Sequence, residues 1–289
     1  MRKVLLFLRA MRPHQWVKNV FVFAPAVFSK EIFQERVARE AFFVFVLFCI
    51  LSSSIYIIND FFDREEDRRH PVKRHRPIAS GQLPAYPALV GALFLAGLSL
   101  ALAFLWRRPV FFVMLFYFLL NFLYSSSLKK VVILDVFVVA LGFDLREAAG
   151  GLASGIYLSP WLFAVTFLLA LFLATVKRRQ ELVKMEDVSR QTLLRYPLPF
   201  LEQFITIISA VTVLSYIIYT LTPEIRHKLG EHLYLTTPFV LYGILRYLFL
   251  AYSENMGEDP MEVILKDRPF QVNLLLWMVV AGVIIFTGW

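Results

Sequence analysis

Asn59, Asp60, Asp63 and Asp67 stand together where a long apolar run gives out, in the stretch "IYIINDFFDREEDRRHPVKRHRPIASG" from Ile55 to Gly81. From Asn59 the spacing is i, i+4, i+8, and Asp60 adds the i, i+3, i+7 set. On a helix all four therefore lie along one stripe. Carboxylates and amides gathered at the end of an apolar helix are costly to hold unless something positive neutralises them. All four are hard oxygen donors, and no His or Cys shares the stripe, which points to Mg²⁺. Mg²⁺ takes one or two carboxylates and completes its shell with water and substrate phosphates. The stripe thus predicts a site for a diphosphate bridged by metal. A solvated helix end with Asp–Arg pairs at i, i+4 is the competing explanation. The Asn-Asp start inside apolar sequence favours the site.

The bases that follow have the complementary chemistry. Lys73, Arg74 and Arg76 lie between Pro71 and Pro77, which stop the helix and stiffen the loop. Arg forks onto phosphate, whereas Lys acts as a point charge. A positive loop beside a membrane would explain these bases but not the acids next to them. His70 and His75 have no spacing for zinc. A second mixed cluster holds Lys177, Arg178, Arg179, Glu181, Lys184, Glu186 and Asp187. There Lys177 and Arg178 suit phosphate, and Glu181 suits a second metal or a sugar hydroxyl. A solvated helix end with i, i+4 pairs is the rival explanation.

Further ionisable groups lie inside an apolar segment, "DVFVVALGFDLREAAGG": Asp135, Asp144, Arg146 and Glu147. Such groups in a membrane helix usually face the bundle interior or a wet cavity. Asp135 and Arg146 are eleven residues apart, about three turns, and share a face. Tyr124, Ser125 and Lys129 precede this segment and are expected at the same mouth. Lys266, Asp267 and Arg268 form a charged loop expected to cap it.

The elements that must position these groups are apolar. The 289 residues are 58% hydrophobic with a mean hydropathy of +0.64, above the roughly 45–50% of soluble domains. Nine apolar spans are expected, near 16–30, 41–62, 84–105, 109–128, 131–151, 160–177, 201–222, 234–252 and 271–288. Most are long enough to cross a bilayer as helices; the first is short and carries Pro25. The prediction is an all-α, polytopic membrane bundle, one domain over residues 1–289, around a central cavity open to the cytoplasm. The N-terminal "MRKVLLFLRAMRPHQW" reads as a basic amphipathic segment at the interface. With the N-terminus inside, 21 of the 30 Lys and Arg fall on the cytoplasmic side and 7 outside, which fits the positive-inside rule. The net charge of +8 suits anionic headgroups or an anionic substrate, and no nucleic-acid partner is expected. The single cysteine, Cys49, sits in an apolar block; it reads as buried filler. The two charged clusters recur four spans apart at the cytoplasmic ends of helices, as in a pseudo-repeated bundle facing one cavity. An ion-coupled transporter is disfavoured, because no second broken span matches the one with Pro25.

These motifs resemble the UbiA superfamily of intramembrane prenyltransferases. Its NDxxDxxxD motif stands here as Asn59, Asp60, Asp63 and Asp67, and its RPxxxG-like loop as Arg76, Pro77 and Gly81. "RPHQWVKN" (Arg12 to Asn19), "YSSSLKKVVILDVFVVALGFDLREAAGG", "KRRQEL" and "DPMEVILKDRP" resemble the branch that acts on phosphoribosyl diphosphate and polyprenyl phosphates. The usual second motif, DxxxD, is replaced by "KRRQEL", and base stands where acid is common. What the resemblance implies is phosphoribosyl transfer to a polyprenyl phosphate such as decaprenyl phosphate. It would depend on Mg²⁺, release pyrophosphate and occur in the cell membrane with a cytoplasmic site. The product would be a precursor such as that of cell-wall arabinan. Asp60, Asp63, Asp67 and Lys73 would be catalytic, with Asn59 joining the three acids at the metal. Lys18, Asn59, Arg74, Arg76, Tyr124, Lys129, Asp135, Arg146, Lys177, Arg178, Glu181 and Lys266 would bind substrate. The alternative within the superfamily is prenyl transfer from a prenyl diphosphate to an aromatic or other small acceptor.

Overall fold

The computed structural model describes residues 2–183, 196–254, 256–257 and 260–289, apart from the side chain of Arg2. Among the described residues the structure is all-helical. In chain order the helices are α1 (Arg2–Ala10), α2 (Ala24–Phe28), α3 (Glu35–Phe62), α4 (Arg64–Arg69), α5 (Ala85–Trp106), α6 (Arg108–Ser126), α7 (Leu134–Ser154) and α8 (Pro160–Val183). They continue with α9 (Leu198–Leu221), α10 (Pro223–Leu229), α11 (Thr237–Ser253), α12 (Pro260–Lys266) and α13 (Arg268–Thr287). Helix starts follow proline chemistry: α6, α9, α10, α11 and α13 carry Pro in their first or second position, where its missing N–H has no partner to lose.

Seven helical stretches among the described residues are long and apolar enough to cross a membrane: α3, α5, α6, α8, α9, Leu233–Ser253 and α13. Helix α7 matches them in length, with 21 residues, but carries Asp135, Asp144, Arg146 and Glu147. The expected first span is built differently. Pro13–Phe23 is a 3₁₀ segment and only Ala24–Phe28 is α-helical. The reason is tertiary: its polar side chains are tied to α3, as described below.

The chain comprises two compact units. The first comprises Met1–Val27 and Glu31–Tyr157. Its centre is α3, which packs against α5, α6, α7 and the Pro13–Phe23 segment. Along α5 the buried residues Ala88, Ala92, Ala96, Ser99 and Ala103 form a stripe of small side chains. Such a stripe lets helix backbones approach closely, and Ser99 Oγ donates to the carbonyl of Leu47 on α3 at 2.9 Å. On α7, a Cβ at Gly150 would lie 1.9 Å from the carbonyl oxygen of Val22, so only glycine admits the 3₁₀ segment there. Leu47, Phe48, Leu51, Met114, Tyr117 and Ala149 fill the core between these elements.

The second unit holds Phe28–Lys30 and, among the described residues, 158–183 and 196–289. Helix α8 packs on α9 and α11, and α11 on α13. Tyr216, Leu229, Leu233, Ala281 and Ile284 form its core. The Tyr216 hydroxyl lies 2.6 Å from Thr236 Oγ1 and accepts from Trp277 Nε1 at 3.1 Å.

Candidate active site

The acid stripe is intact because helical register runs through the junction of α3 and α4. Asp63 caps both helices; its N–H donates to the Asn59 carbonyl at 2.9 Å, and its carbonyl accepts from the Asp67 N–H at 2.8 Å. Asp60 and Asp67 are buried, at 2% and 4% exposure. Asn59 Nδ2 donates to Asp63 Oδ2 at 2.9 Å, which aims the amide along the stripe.

Each carboxylate meets a base. Arg12 Nη2 and Arg76 Nη1 both donate to Asp60 Oδ1, Arg76 at 3.2 Å. The same Arg76 nitrogen donates to Asp67 Oδ2 at 2.6 Å. Lys129 Nζ donates to Asp63 Oδ1. The loop that presents Arg76 is shaped locally. Helix α4 ends at Arg69 before Pro71, and His70 Nδ1 accepts from the N–H groups of Val72 and Lys73 at 3.1 and 3.3 Å. His70 is thus a turn residue. Arg68 Nε donates to the Ala79 carbonyl at 3.2 Å, and Gly81 takes the left-handed conformation (φ 75°) that ends the loop. Lys73 is half-buried and Arg74 exposed. Lys129 sits in the turn Leu128–Lys130 and is itself buried. Ile133, just before α7, holds φ 70°, an unfavourable backbone for a β-branched residue. Asp135, in the first turn of α7, is buried, and Tyr124, in the last turn of α6, is half-buried.

The segment Pro13–Phe23 lies antiparallel to α3. Arg12 reaches Asp60, Trp16 Nε1 donates to Ser53 Oγ at 2.9 Å, and Asn19 Nδ2 donates to Ser52 Oγ at 3.2 Å. Arg12 takes left-handed backbone, φ 53°, directly before a proline, where even the right-handed helical region is disfavoured. Strain of this kind is held where the surroundings over-determine it, here by the carboxylate of Asp60. Lys18 is half-buried on the same segment. Arg146 is engaged in the framework: Nε donates to Asn19 Oδ1 at 2.8 Å, Nη1 to the Gly142 carbonyl at 2.6 Å and Nη2 to the Tyr117 hydroxyl at 2.6 Å. The rings of Tyr117 and Phe143 lie within 4.8 and 5.4 Å of its guanidinium carbon. It fixes the segment that carries Arg12.

The stripe suits a hard divalent cation by chemistry: four oxygen-bearing side chains in register, two of them buried carboxylates. One nitrogen of Arg76 already places positive charge between Asp60 and Asp67. Among the described residues no three His, Cys, Asp or Glu side chains are gathered tightly enough to form a metal cage as they stand. The bases lie among them instead. Residues 22–265 match the UbiA prenyltransferase family. The chain belongs to that family. It is 36% identical over 280 residues to the decaprenyl-phosphate phosphoribosyltransferase of Corynebacterium glutamicum, covering 94% of this chain and 84% of that one. The decaprenyl-phosphate phosphoribosyltransferase of Mycolicibacterium smegmatis is 34% identical over 294 residues, covering 96% and 92%. A solved UbiA homolog from Archaeoglobus fulgidus, bound to GPP and Mg²⁺, superposes with a TM-score of 0.74 at 20% identity, covering 97% of this chain and 99% of that one. That likeness establishes the UbiA fold. The chain is accordingly a multi-pass membrane transferase of the UbiA family.

The remaining UbiA candidates lie in the second unit. On α8, Arg178 is buried and pairs with Glu181, and Lys177 is half-buried. Lys266 is exposed at the end of α12 and pairs with Glu262 at 2.8 Å. Lys184, Glu186, Asp187 and Asp259 lie outside the described residues. Sequence reasoning singled out the run from Arg12 to Asn19 but gave Arg12, Trp16 and Asn19 no role at the site. The signal for them was the run Ser52-Ser53-Ser54 inside an apolar span, two turns before the acid stripe.

Proposed function

We propose that this protein transfers 5-phosphoribose from phosphoribosyl diphosphate to a polyprenyl phosphate such as decaprenyl phosphate, with Mg²⁺, and releases pyrophosphate. The carrying observation is the interleaving of Asp60, Asp63 and Asp67 with Arg12, Arg76 and Lys129 at one helix end. It occurs in a chain similar over nearly its full length to two phosphoribosyltransferases. A phosphate monoester, with second pKa near ~6, is largely ionised at neutral pH. Its oxygen forms the new bond to the anomeric carbon of ribose. The bond from that carbon to the diphosphate oxygen breaks, and pyrophosphate leaves with the electron pair. No general base is required. What the chain must supply is charge and geometry. Arg12, Arg76 and Lys129 would stabilise the departing diphosphate, and Lys73 and Arg74 the 5-phosphate. On the same unit, Lys18 would be a further phosphate contact, and Tyr124 and Asp135 would contact ribose hydroxyls; on the second unit, Lys177, Arg178 and Lys266 have the chemistry for phosphate and Glu181 that for a sugar hydroxyl. Asn59, Asp60, Asp63 and Asp67 would hold Mg²⁺, which when bound neutralises charge on the leaving group. The excess of Lys and Arg on one set of loops supports a cytoplasmic N-terminus and a cytoplasmic site in the cell membrane.

The test is a transfer assay on purified protein in detergent with labelled phosphoribosyl diphosphate, a polyprenyl phosphate and Mg²⁺, with and without EDTA. Label is expected in the organic phase only when metal and lipid are both present. Absence of transfer by folded protein would overturn the proposal and favour a prenyl diphosphate donor.

A further inference from the structure

Asp60 and Asp67 are anchored on a continuous helical stripe, yet the positive centre between them belongs to a loop. Arg76 Nη1 is 3.2 Å from Asp60 Oδ1 and 2.6 Å from Asp67 Oδ2. A divalent cation bound to these carboxylates would take the oxygens that this nitrogen now holds. The two occupants exclude one another. We propose that Arg76 is a placeholder for the metal: it holds the carboxylate oxygens that a divalent cation would take, and is released when such a cation enters together with a diphosphate. The proposal rests on the acid stripe being the metal–diphosphate site, and is the same for either donor.

Three observations support it. The first is charge. Asp60, Asp63 and Asp67 are matched by Arg12, Arg76 and Lys129, so the cluster is neutral as it stands. A divalent cation that displaced Arg76 by itself would leave the three carboxylates, Arg12 and Lys129 with one net positive charge beside a guanidinium that had lost its partners, which is unfavourable in a largely buried setting. A diphosphate entering with the cation offsets that charge and gives the Arg76 head a new partner. The second is burial. Asp60 is 2% exposed, and a carboxylate so far from water stays ionised only beside a cation. Arg12 also donates to Asp60 and can keep that role while Arg76 leaves. The third is reach. Asp60 and Asp67 are short side chains set by helices, whereas the Arg76 head is 25% exposed at the end of a long side chain and can turn without moving the loop that carries it. Its planar fork suits a diphosphate oxygen as well as a carboxylate. Arg76 is thereby a positioning residue that makes metal and diphosphate binding mutually dependent, and such coupling is reciprocal.

The experiment is a Mn²⁺ titration of the full chain in detergent, reading free Mn²⁺ by electron paramagnetic resonance, with and without inorganic pyrophosphate and with the Mn²⁺–pyrophosphate equilibrium accounted for. Wild-type protein is expected to bind Mn²⁺ alone at least about tenfold more weakly than with pyrophosphate. Arg76→Gln is expected to bind Mn²⁺ alone about tenfold more tightly than wild type and to lose most of the pyrophosphate effect. Arg76→Lys, which keeps the charge, should stay close to wild type. Equal Mn²⁺ affinity with and without pyrophosphate in wild type would overturn the proposal, and so would unchanged Mn²⁺-only affinity in folded Arg76→Gln. If that variant fails to fold, the wild-type comparison decides alone. No Mn²⁺ binding under either condition overturns both the metal assignment and the placeholder. Because pyrophosphate is common to both donors, none of these results depends on whether phosphoribose is transferred.

Discussion

At the scale of single residues, the site is a set of acids that do not stand alone. Asp63 receives Asn59 and Lys129 at once. Asp63→Asn keeps the shape and removes the charge. Turnover is expected to fall by about 100-fold or more, with a higher Mg²⁺ requirement, read by titrating Mg²⁺ in the transfer assay. Unchanged rate and Mg²⁺ dependence would contradict the metal assignment. Arg146 makes the opposite case. Its three nitrogens bind Asn19, Gly142 and Tyr117, and lysine cannot reproduce that fork. Arg146→Lys is expected to cost about 2–4 kcal/mol of stability, seen as a lower Tm, while the donor KM of the folded fraction stays the same. An unchanged Tm with a raised KM would return Arg146 to the substrate. The stripe from Asn59 to Asp67 was legible in sequence because its period and its place in apolar surroundings are local features. The role of Arg146 was not, because Asn19 lies 127 residues away in the chain.

At the scale of elements, close approaches decide which substitutions are tolerated. Gly150→Ala would drive a methyl group into the Val22 carbonyl, at 1.9 Å, and push away the segment that carries Arg12. The expected loss is about 1–3 kcal/mol. Gly97→Ala on α5 meets nothing within 4 Å and should leave stability unchanged or raise it by up to about 1 kcal/mol. Thermal unfolding of both variants in one detergent checks the contrast; equal effects would mean that the approach is not as close as described. In the second unit, Arg246 Nε and Nη2 bind the two oxygens of Asp267 at 3.1 and 2.7 Å, and Asp267 also accepts from the Phe270 N–H at 2.8 Å. The Arg246 hydrogen bonds hold the Asp267 carboxyl below its ordinary range, with the Phe270 N–H and the charge of Arg246 adding to this. A depressed carboxyl stabilises the fold above its unfolded pKa, and that contribution is lost as pH falls through the folded value. Wild type should therefore lose stability on acidification below about pH 4, and Asp267→Asn should flatten that limb of the Tm–pH curve. An identical acid limb in the variant would remove Asp267 from the account. Most long helices were legible from apolar length. The stretch near 16–30 was not, because Trp16 and Asn19 find their partners on α3 rather than along their own helix.

At the scale of the whole molecule, membership of the UbiA family fixes the fold and the class of chemistry, and the base-rich clusters bear on the substrate. The family's name describes prenyl transfer, in which the lipid carries the diphosphate. In the proposed reaction the lipid is the phosphate acceptor and the sugar brings the diphosphate. The sequence carried this distinction in "KRRQEL", where an acidic motif is usual. What separates the two uses most directly is the covalent product. Purified protein would be given phosphoribosyl diphosphate, a polyprenyl phosphate and Mg²⁺, and in parallel a prenyl diphosphate with an aromatic acceptor. The lipid fraction would then be read by mass spectrometry. Phosphoribosyl transfer requires the polyprenyl phosphate to gain one phosphoribosyl group, with one pyrophosphate released per product and no product in the parallel reaction. An unmodified polyprenyl phosphate beside a prenylated acceptor would contradict it.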